Sequence, residues 1–149
     1  MTSPRLSILC LIFILASLVE SRAESIVSEG FRRFNASGST AAVETWSRQS
    51  RLLDPNKIAL LTAELKKWEA SLGSFNSFEF LDTQALGTRN SQTLAVAHFR
   101  YGSLFFRFLV FQDALGQEYV NGIWFSSDPL EVLPEKSSDP GRLKGKSRF

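Results

Sequence analysis

The hydrophobic period of this chain changes from helical to twofold at Gly73, and that switch limits the folds open to it. Before Gly73, the residues Ile58, Leu61, Leu65, Trp68 and Leu72 recur at spacings of 3, 4, 3 and 4, as one face of a helix requires. Asp54 stands at the N-cap position and Pro55 at the first helical position, where no backbone donor is needed. Gly73 stands where a left-handed C-cap belongs. Such a helix of about 18 residues rises about 27 Å, enough to lie across a small sheet. The stripe stops after two heptads, too short for a coiled coil, so it is read as core. Trp68 is accordingly expected between this helix and a sheet.

After Gly73, residues 75–81, 93–101, 104–112 and 118–125 read as strands rich in Phe, Tyr, Val and Trp. A polar loop over 87–92 separates the first two. Gly102-Ser103 predicts a two-residue turn with glycine first, and 113–116 a longer one. Upstream, Val27, Phe31 and Phe34 share one helical face that stops over 35–38. Thr40 can cap a second helix, with Val43, Trp46 and Leu53 in its stripe. Helices followed by a strand meander predict an α+β domain, with the N-terminal helices packed on one face of a curved four-stranded antiparallel sheet.

The ends of the chain differ from its middle. Arg5, a 14-residue apolar core over 6–19 and Ser21-Arg22-Ala23 form the pattern of an export signal over residues 1–23. An apolar run of that length falls short of the roughly 20 residues a membrane span takes. The mature chain is thus expected to be exported, periplasmic or secreted, with no transmembrane segment after cleavage. Cleavage also removes Cys10, the one cysteine, which excludes disulfides, thiolate metal sites and cysteine nucleophiles from the mature chain. Residues 24–134 form a single domain with 10 basic and 12 acidic residues. Residues 135–149, with 5 basic and 2 acidic residues, read as a disordered basic tail. The tail lacks interleaved aromatics, so no nucleic-acid partner is expected. Asn35-Ala36-Ser37 matches the glycosylation sequon, which matters only in a eukaryotic host.

The one histidine lies in "HFRYGSLFFRFLVF", residues 98–111. A turn at Gly102-Ser103 pairs His98 with Arg107 and places Ala95, Ala97, Phe99, Tyr101, Leu104, Phe106, Phe108 and Val110 on a helix-covered face. The opposite face is mixed, carrying Leu94, Val96, His98, Arg100, Phe105, Arg107, Leu109 and Phe111. A four-residue loop before the last strand adds Glu118, Val120, Gly122 and Trp124 to it, with Gly122 opposite Arg107. In that register Gly122 leaves an open spot walled by Trp124 and Phe105.

Two readings of this face stay open. One is a small-ligand pocket in which Arg107 offers a planar donor fork, Trp124 and Phe105 form walls, and His98 and Arg100 supply further donors. The other is an amphipathic sheet face covered by the N-terminal segment or by a second subunit, with the arginines laid over aromatic rings. The apolar content favours the second, as a homodimer, with a protein partner as the further candidate. No Gly-x-Ser-x-Gly elbow accompanies His98, and one histidine with scattered carboxylates makes no zinc site, so neither a metal nor a cofactor is expected.

The run "LLTAELKKWEASLGSF", followed by four aromatic-rich strands ending in "YVNGIWF", resembles small exported bacterial proteins of the nuclear transport factor 2-like, or cystatin-like, superfamily, over residues 41–125. The resemblance implies helices against a curved sheet, often paired into a dimer through the sheet. Enzymes of that superfamily place an Asp or His acid/base and a Tyr or Asp donor deep in the cone. Here only His98 is available as a base, and Tyr119 falls on the helix side of the expected register. The resemblance therefore implies a non-enzymatic module. The alternative is an enzyme of the same fold acting on a small anionic, partly apolar substrate with His98 as general base.

Overall fold

Ser25 opens the first helix, its hydroxyl accepting the Ser28 amide at 3.4 Å as an N-cap does. The structure, a computed structural model, describes residues 25–133; the expected export signal and basic tail lie outside them. In chain order it contains α1 (Ile26–Trp46), α2 (Pro55–Leu72), β1 (Phe75–Ala85), β2 (Asn90–Phe99), β3 (Gly102–Gln112), β4 (Glu118–Ser126) and the short α3 (Pro129–Val132). The strands form an open antiparallel sheet in the order β1-β2-β3-β4. The domain is α+β, helices first and meander after.

The expected break over 35–38 is present as a kink at Gly38 that divides α1 into two helical segments. Only Gly38 departs from helical geometry, at φ 84° and ψ −175°, a region that glycine alone occupies readily. The kink frees the Ser39 amide, which donates to the Glu69 carboxylate of α2 at 3.3 Å. That carboxylate sits at the N-terminus of the second helical half, where the helix dipole favours an anion. Gly38→Ala is expected to cost about 1 to 3 kcal/mol, read as a lower urea midpoint. An unchanged midpoint would show that the kink is not conformationally demanding.

The interior belongs to α1. Phe31, Phe34, Val43 and Trp46 are buried there, and α1 reaches both edge strands, β1 and β4. The Phe31 ring stacks on Phe78 at 4.7 Å and meets Phe106 edge-on at 5.2 Å, an offset and a T-shaped contact of the kind aromatic quadrupoles favour. Trp46 lies 5.1 Å from Phe108. The same cluster holds Ala95, Ala97, Leu104 and Val120. Trp68, expected in this position, is only half-buried. Helix α2 packs on α1 and buries Leu65 alone completely. Both helices carry an apolar stripe with a tryptophan, and a stripe does not say which helix lies over the middle of the sheet. Leu53, expected in a helix, sits in the link over 47–54 and is buried all the same.

Helix α2 is capped as its sequence requires. Asp54 accepts the Asn56 and Lys57 amides, both at 3.0 Å, and Pro55 fills the first position. Gly73 takes φ 81° but ψ −161°, so it ends the helix by turning into the strand rather than by a left-handed cap.

The β2–β3 turn differs from expectation. It falls at Arg100-Tyr101, and His98 pairs with Ser103 instead of Arg107. The end of α2 decides this, because the Tyr101 amide donates to the Leu72 carbonyl at 2.9 Å and the Arg100 amide to the Ser74 carbonyl at 3.0 Å. Gly102 then serves a close approach: a Cβ there would lie 2.9 Å from Leu72 Cδ2. Because the slip is an even number of residues, each side chain keeps its face. Tyr101, in the turn, is exposed instead of joining the helix-covered face.

Strand β4 carries a bulge. Leu109 pairs with Gly122 but Val110 pairs with Val120, which leaves Asn121 extra. The connection before β4 has five residues, 113–117, not the expected four, so Gln112 pairs with Glu118. Glu118 and Val120 therefore fall on the helix side, and the bulge then returns Gly122 and Trp124 to the outer face. Val120 joins the core, and Glu118 accepts the Ile26 amide at 3.0 Å. Tyr119, expected on the helix side, pairs with Phe111 on the outer face.

Candidate functional site

The outer sheet face divides the expected site residues into three groups. At one end, His98 lies between a hydroxyl and a carboxylate: Nδ1 is 2.9 Å from Ser103 Oγ and Nε2 is 3.0 Å from Glu79 Oε1. These three side chains come from β2, β3 and β1: Ser103 is directly opposite His98, and Glu79, opposite Val96, reaches the imidazole diagonally. In the middle of β3, the Arg107 guanidinium sits 4.6 Å from the Trp124 ring centre. These two residues are directly opposite on β3 and β4, so cation–π attraction comes at little cost in geometry. Arg100, in the β2–β3 turn, lies 5.1 Å from the ring centre of its neighbour Tyr101.

His98 and Arg107 therefore do not meet. Four residues of strand separate Arg107 from Ser103, the partner of His98, or roughly 13 Å at about 3.3 Å per residue. Phe105 lies between them, half-buried and paired with Val96 and Ser126. The open spot expected at Gly122 is filled, because a Cβ there would stand 2.4 Å from the Trp124 ring. The middle of the face is also closed within the chain: Leu94 and Val96 are buried. Helix α3 packs on β3 and β4, and its Val132 is buried outside the helix-side core. Asp128 caps α3 by accepting the Leu130 amide at 2.9 Å.

Two of the clefts along the β4 margin adjoin the outer-face residues Tyr119 and Trp124. One, of about 570 Å³, is lined by Arg51, Phe111, Asp113, Tyr119 and Asn121, among others. Two of its polar side chains, Asp113 and Tyr119, are engaged with each other and with the turn. The Asp113 carboxylate accepts the Leu115 and Gln117 amides at 2.8 and 2.9 Å and the Tyr119 hydroxyl at 3.1 Å. The Gln117 amide is the main cause holding the Asp113 carboxyl below its ordinary range, against the opposing pull of desolvation. Desolvation, then the bond to Asp113, pushes the Tyr119 hydroxyl up, so it stays a donor. This cluster reads as the clasp of the β3–β4 turn.

A lowered folded pKa means that Asp113 supports the turn above the ordinary carboxylate value of 3.8, and that the support is lost as pH falls through the lower folded value. The Leu115 and Gln117 amide resonances are expected to move together in that acid range, ahead of unfolding. Shifts that merely follow global unfolding would refute this.

The second cleft, about 440 Å³, runs between α2 and β4 and is lined by Leu52, Lys57, Leu60, Glu64, Gly122 and Trp124, among others. Neither cleft takes in His98, Arg100 or Arg107.

Glu79 and Ser103 as partners of His98 were not readable from the sequence, since the three lie on different strands that only the folded sheet brings together. Leu52 and Leu60 were missed because exposure of an apolar residue leaves no mark in a hydrophobic pattern. Among the described residues, no group of three or more His, Cys, Asp or Glu side chains is arranged to hold a metal ion, and no helix is long and apolar enough to cross a membrane.

Comparison of the chain with protein-family profiles, with curated proteins and with solved structures finds no match.

Proposed function

We propose that this chain is an exported, non-enzymatic binding module of the nuclear transport factor 2-like, or cystatin-like, type, and that it works as a homodimer. The observation that carries the reading is Trp124. Its indole is stacked under Arg107 on a rigid strand and still 44 % exposed, beside a groove with further exposed leucines. Rigid aromatics with a stacked arginine are what buried interface centres are made of. The element order, helices first and then a four-stranded antiparallel meander, supports the superfamily. The expected export signal supports the compartment. Size exclusion with light scattering on the mature chain, residues 24–149, is expected to give a dimer at micromolar concentration. A monomer would overturn the reading.

One observation favours the enzymatic alternative, with His98 as general base. A carboxylate orients the imidazole and a hydroxyl faces its other nitrogen, the order of parts in a nucleophile relay. A small anionic substrate would further need a concavity and donors aimed at it, and the clefts described above lie elsewhere on the molecule. A structural role is simpler: Glu79, His98 and Ser103 tie three strands together. Hydrolysis of a p-nitrophenyl ester that is abolished by Ser103→Ala, with the fold intact, would reverse the preference.

A further inference from the structure

We infer that two copies of this chain join through α2 and the β4 margin, about a twofold axis that crosses α2 between Leu60 and Leu61. This rests on the binding-module reading and gives the contact a place other than the middle of the sheet, which the chain covers itself.

Exposed large apolar side chains collect at this margin: Leu60 is 67 %, Leu52 58 % and Trp124 44 % exposed, and all three line the α2–β4 groove. A second exposed group, Phe80, Leu81 and Leu86, lies on the β1–β2 hairpin. Glu79 and Asp82 on β1 and Arg89 in the hairpin turn flank it, and Glu79 is already paired with His98.

The groove's own charges are self-complementary. Lys57, Leu60, Leu61 and Glu64 form one stripe of α2 along the groove, with a cation at one end, an anion at the other and leucines between. Seven residues separate the charges, or about 10.5 Å along the helix. An antiparallel copy brings Lys57 against the partner's Glu64, and Glu64 against the partner's Lys57, while Leu60 meets the partner's Leu61. Each contact is made twice, as a closed isologous dimer requires. Parallel helices would oppose like charges.

Both side chains are available for this. Lys57 has only long contacts, 3.8 Å to Asp54 and 3.5 Å to the Leu52 carbonyl, and is 62 % exposed. Glu64 has no hydrogen-bond or ion-pair partner among the described residues.

The test is a reciprocal charge swap on the mature chain, read by light scattering and sedimentation at micromolar concentration. Lys57→Glu and Glu64→Lys are each expected to weaken dimerisation tenfold or more, since each sets two like-charge pairs at the contact. The Lys57→Glu/Glu64→Lys double variant is expected to restore it. Should a charge variant not fold by circular dichroism, Leu60→Ser, at an exposed position outside the core, reads the same contact and is expected to give monomer. A wild-type monomer overturns both this inference and the dimer reading beneath it. A wild-type dimer that tolerates both single swaps, or one that the double variant leaves weak, overturns the inference alone and points to another surface or another partner in the groove.

Discussion

Trp46→Ala is expected to lower the stability of the domain by about 3 to 5 kcal/mol, the range for removing a large buried aromatic. The indole is fully buried and touches rings on both sides: Phe31 at 5.1 Å, Phe108 at 5.1 Å and Phe106 at 5.8 Å. Its Nε1 donates to the Val27 carbonyl at 3.1 Å, so one side chain ties the end of α1 to its beginning across the Gly38 kink. A loss of that size is a large part of the roughly 5 to 15 kcal/mol that keeps a domain folded. Trp46→Phe keeps a ring in place but not the donor, and is expected to fall between wild type and alanine. Trp68→Ala is expected to cost clearly less, because that side chain is only half-buried. Urea unfolding of the three variants orders them. A Trp68→Ala loss equal to that of Trp46→Ala would show that α2, not α1, holds the core.

Gly30→Ala is expected to be the most damaging single-methyl addition in the helical layer. A Cβ at Gly30 would stand 1.9 Å from Trp46 Nε1 and 2.3 Å from its Cδ1, far inside contact distance. The indole is packed on its other sides, so relief requires α1 to bend or the ring to leave its rotamer. Overpacking of this kind costs about 1 to 3 kcal/mol and sometimes more. Helix propensity acts the other way, since alanine is favoured over glycine inside a helix by about 1 kcal/mol. The sign of the outcome is therefore diagnostic: a lower unfolding midpoint shows the clash prevailing, and a higher one would mean that the indole has room to move. The Gly30→Ala/Trp46→Ala double variant should be less unstable than the two losses added together, because without the indole the new methyl meets nothing. Strict additivity would refute the contact.

The even slip at the β2–β3 turn explains why the faces of the sheet were readable while the site on it was not. Alternation along β2 and β3 assigns Ala95, Ala97, Leu104, Phe106 and Phe108 to the core whichever even register is used, and all five are buried. Which residues stand side by side depends on the register itself. Gly102-Ser103 is a good local turn, but the Leu72 and Ser74 carbonyls at the end of α2 bind the Arg100 and Tyr101 amides and move the turn there. That slip separates His98 from Arg107 and gives His98 to Ser103 and Glu79. The five-residue turn before β4 and the Asn121 bulge together bring Arg107 to Trp124 instead.

What the sequence determined by itself was everything set by local period and local chemistry. The Asp54 cap and Pro55 start of α2, the change to strands after Gly73, the α+β order and the inward face of the central strands all follow from residues within a few positions of one another. Tertiary structure alone decided which tryptophan fills the core, where β2 turns into β3, and which side of the sheet Glu118, Tyr119 and Val120 occupy. Each of these is a choice between arrangements with nearly equal local energies. Each is resolved by a contact between residues far apart in the chain: Trp46 with Val27 and the sheet, Tyr101 with Leu72, and Glu118 with Ile26.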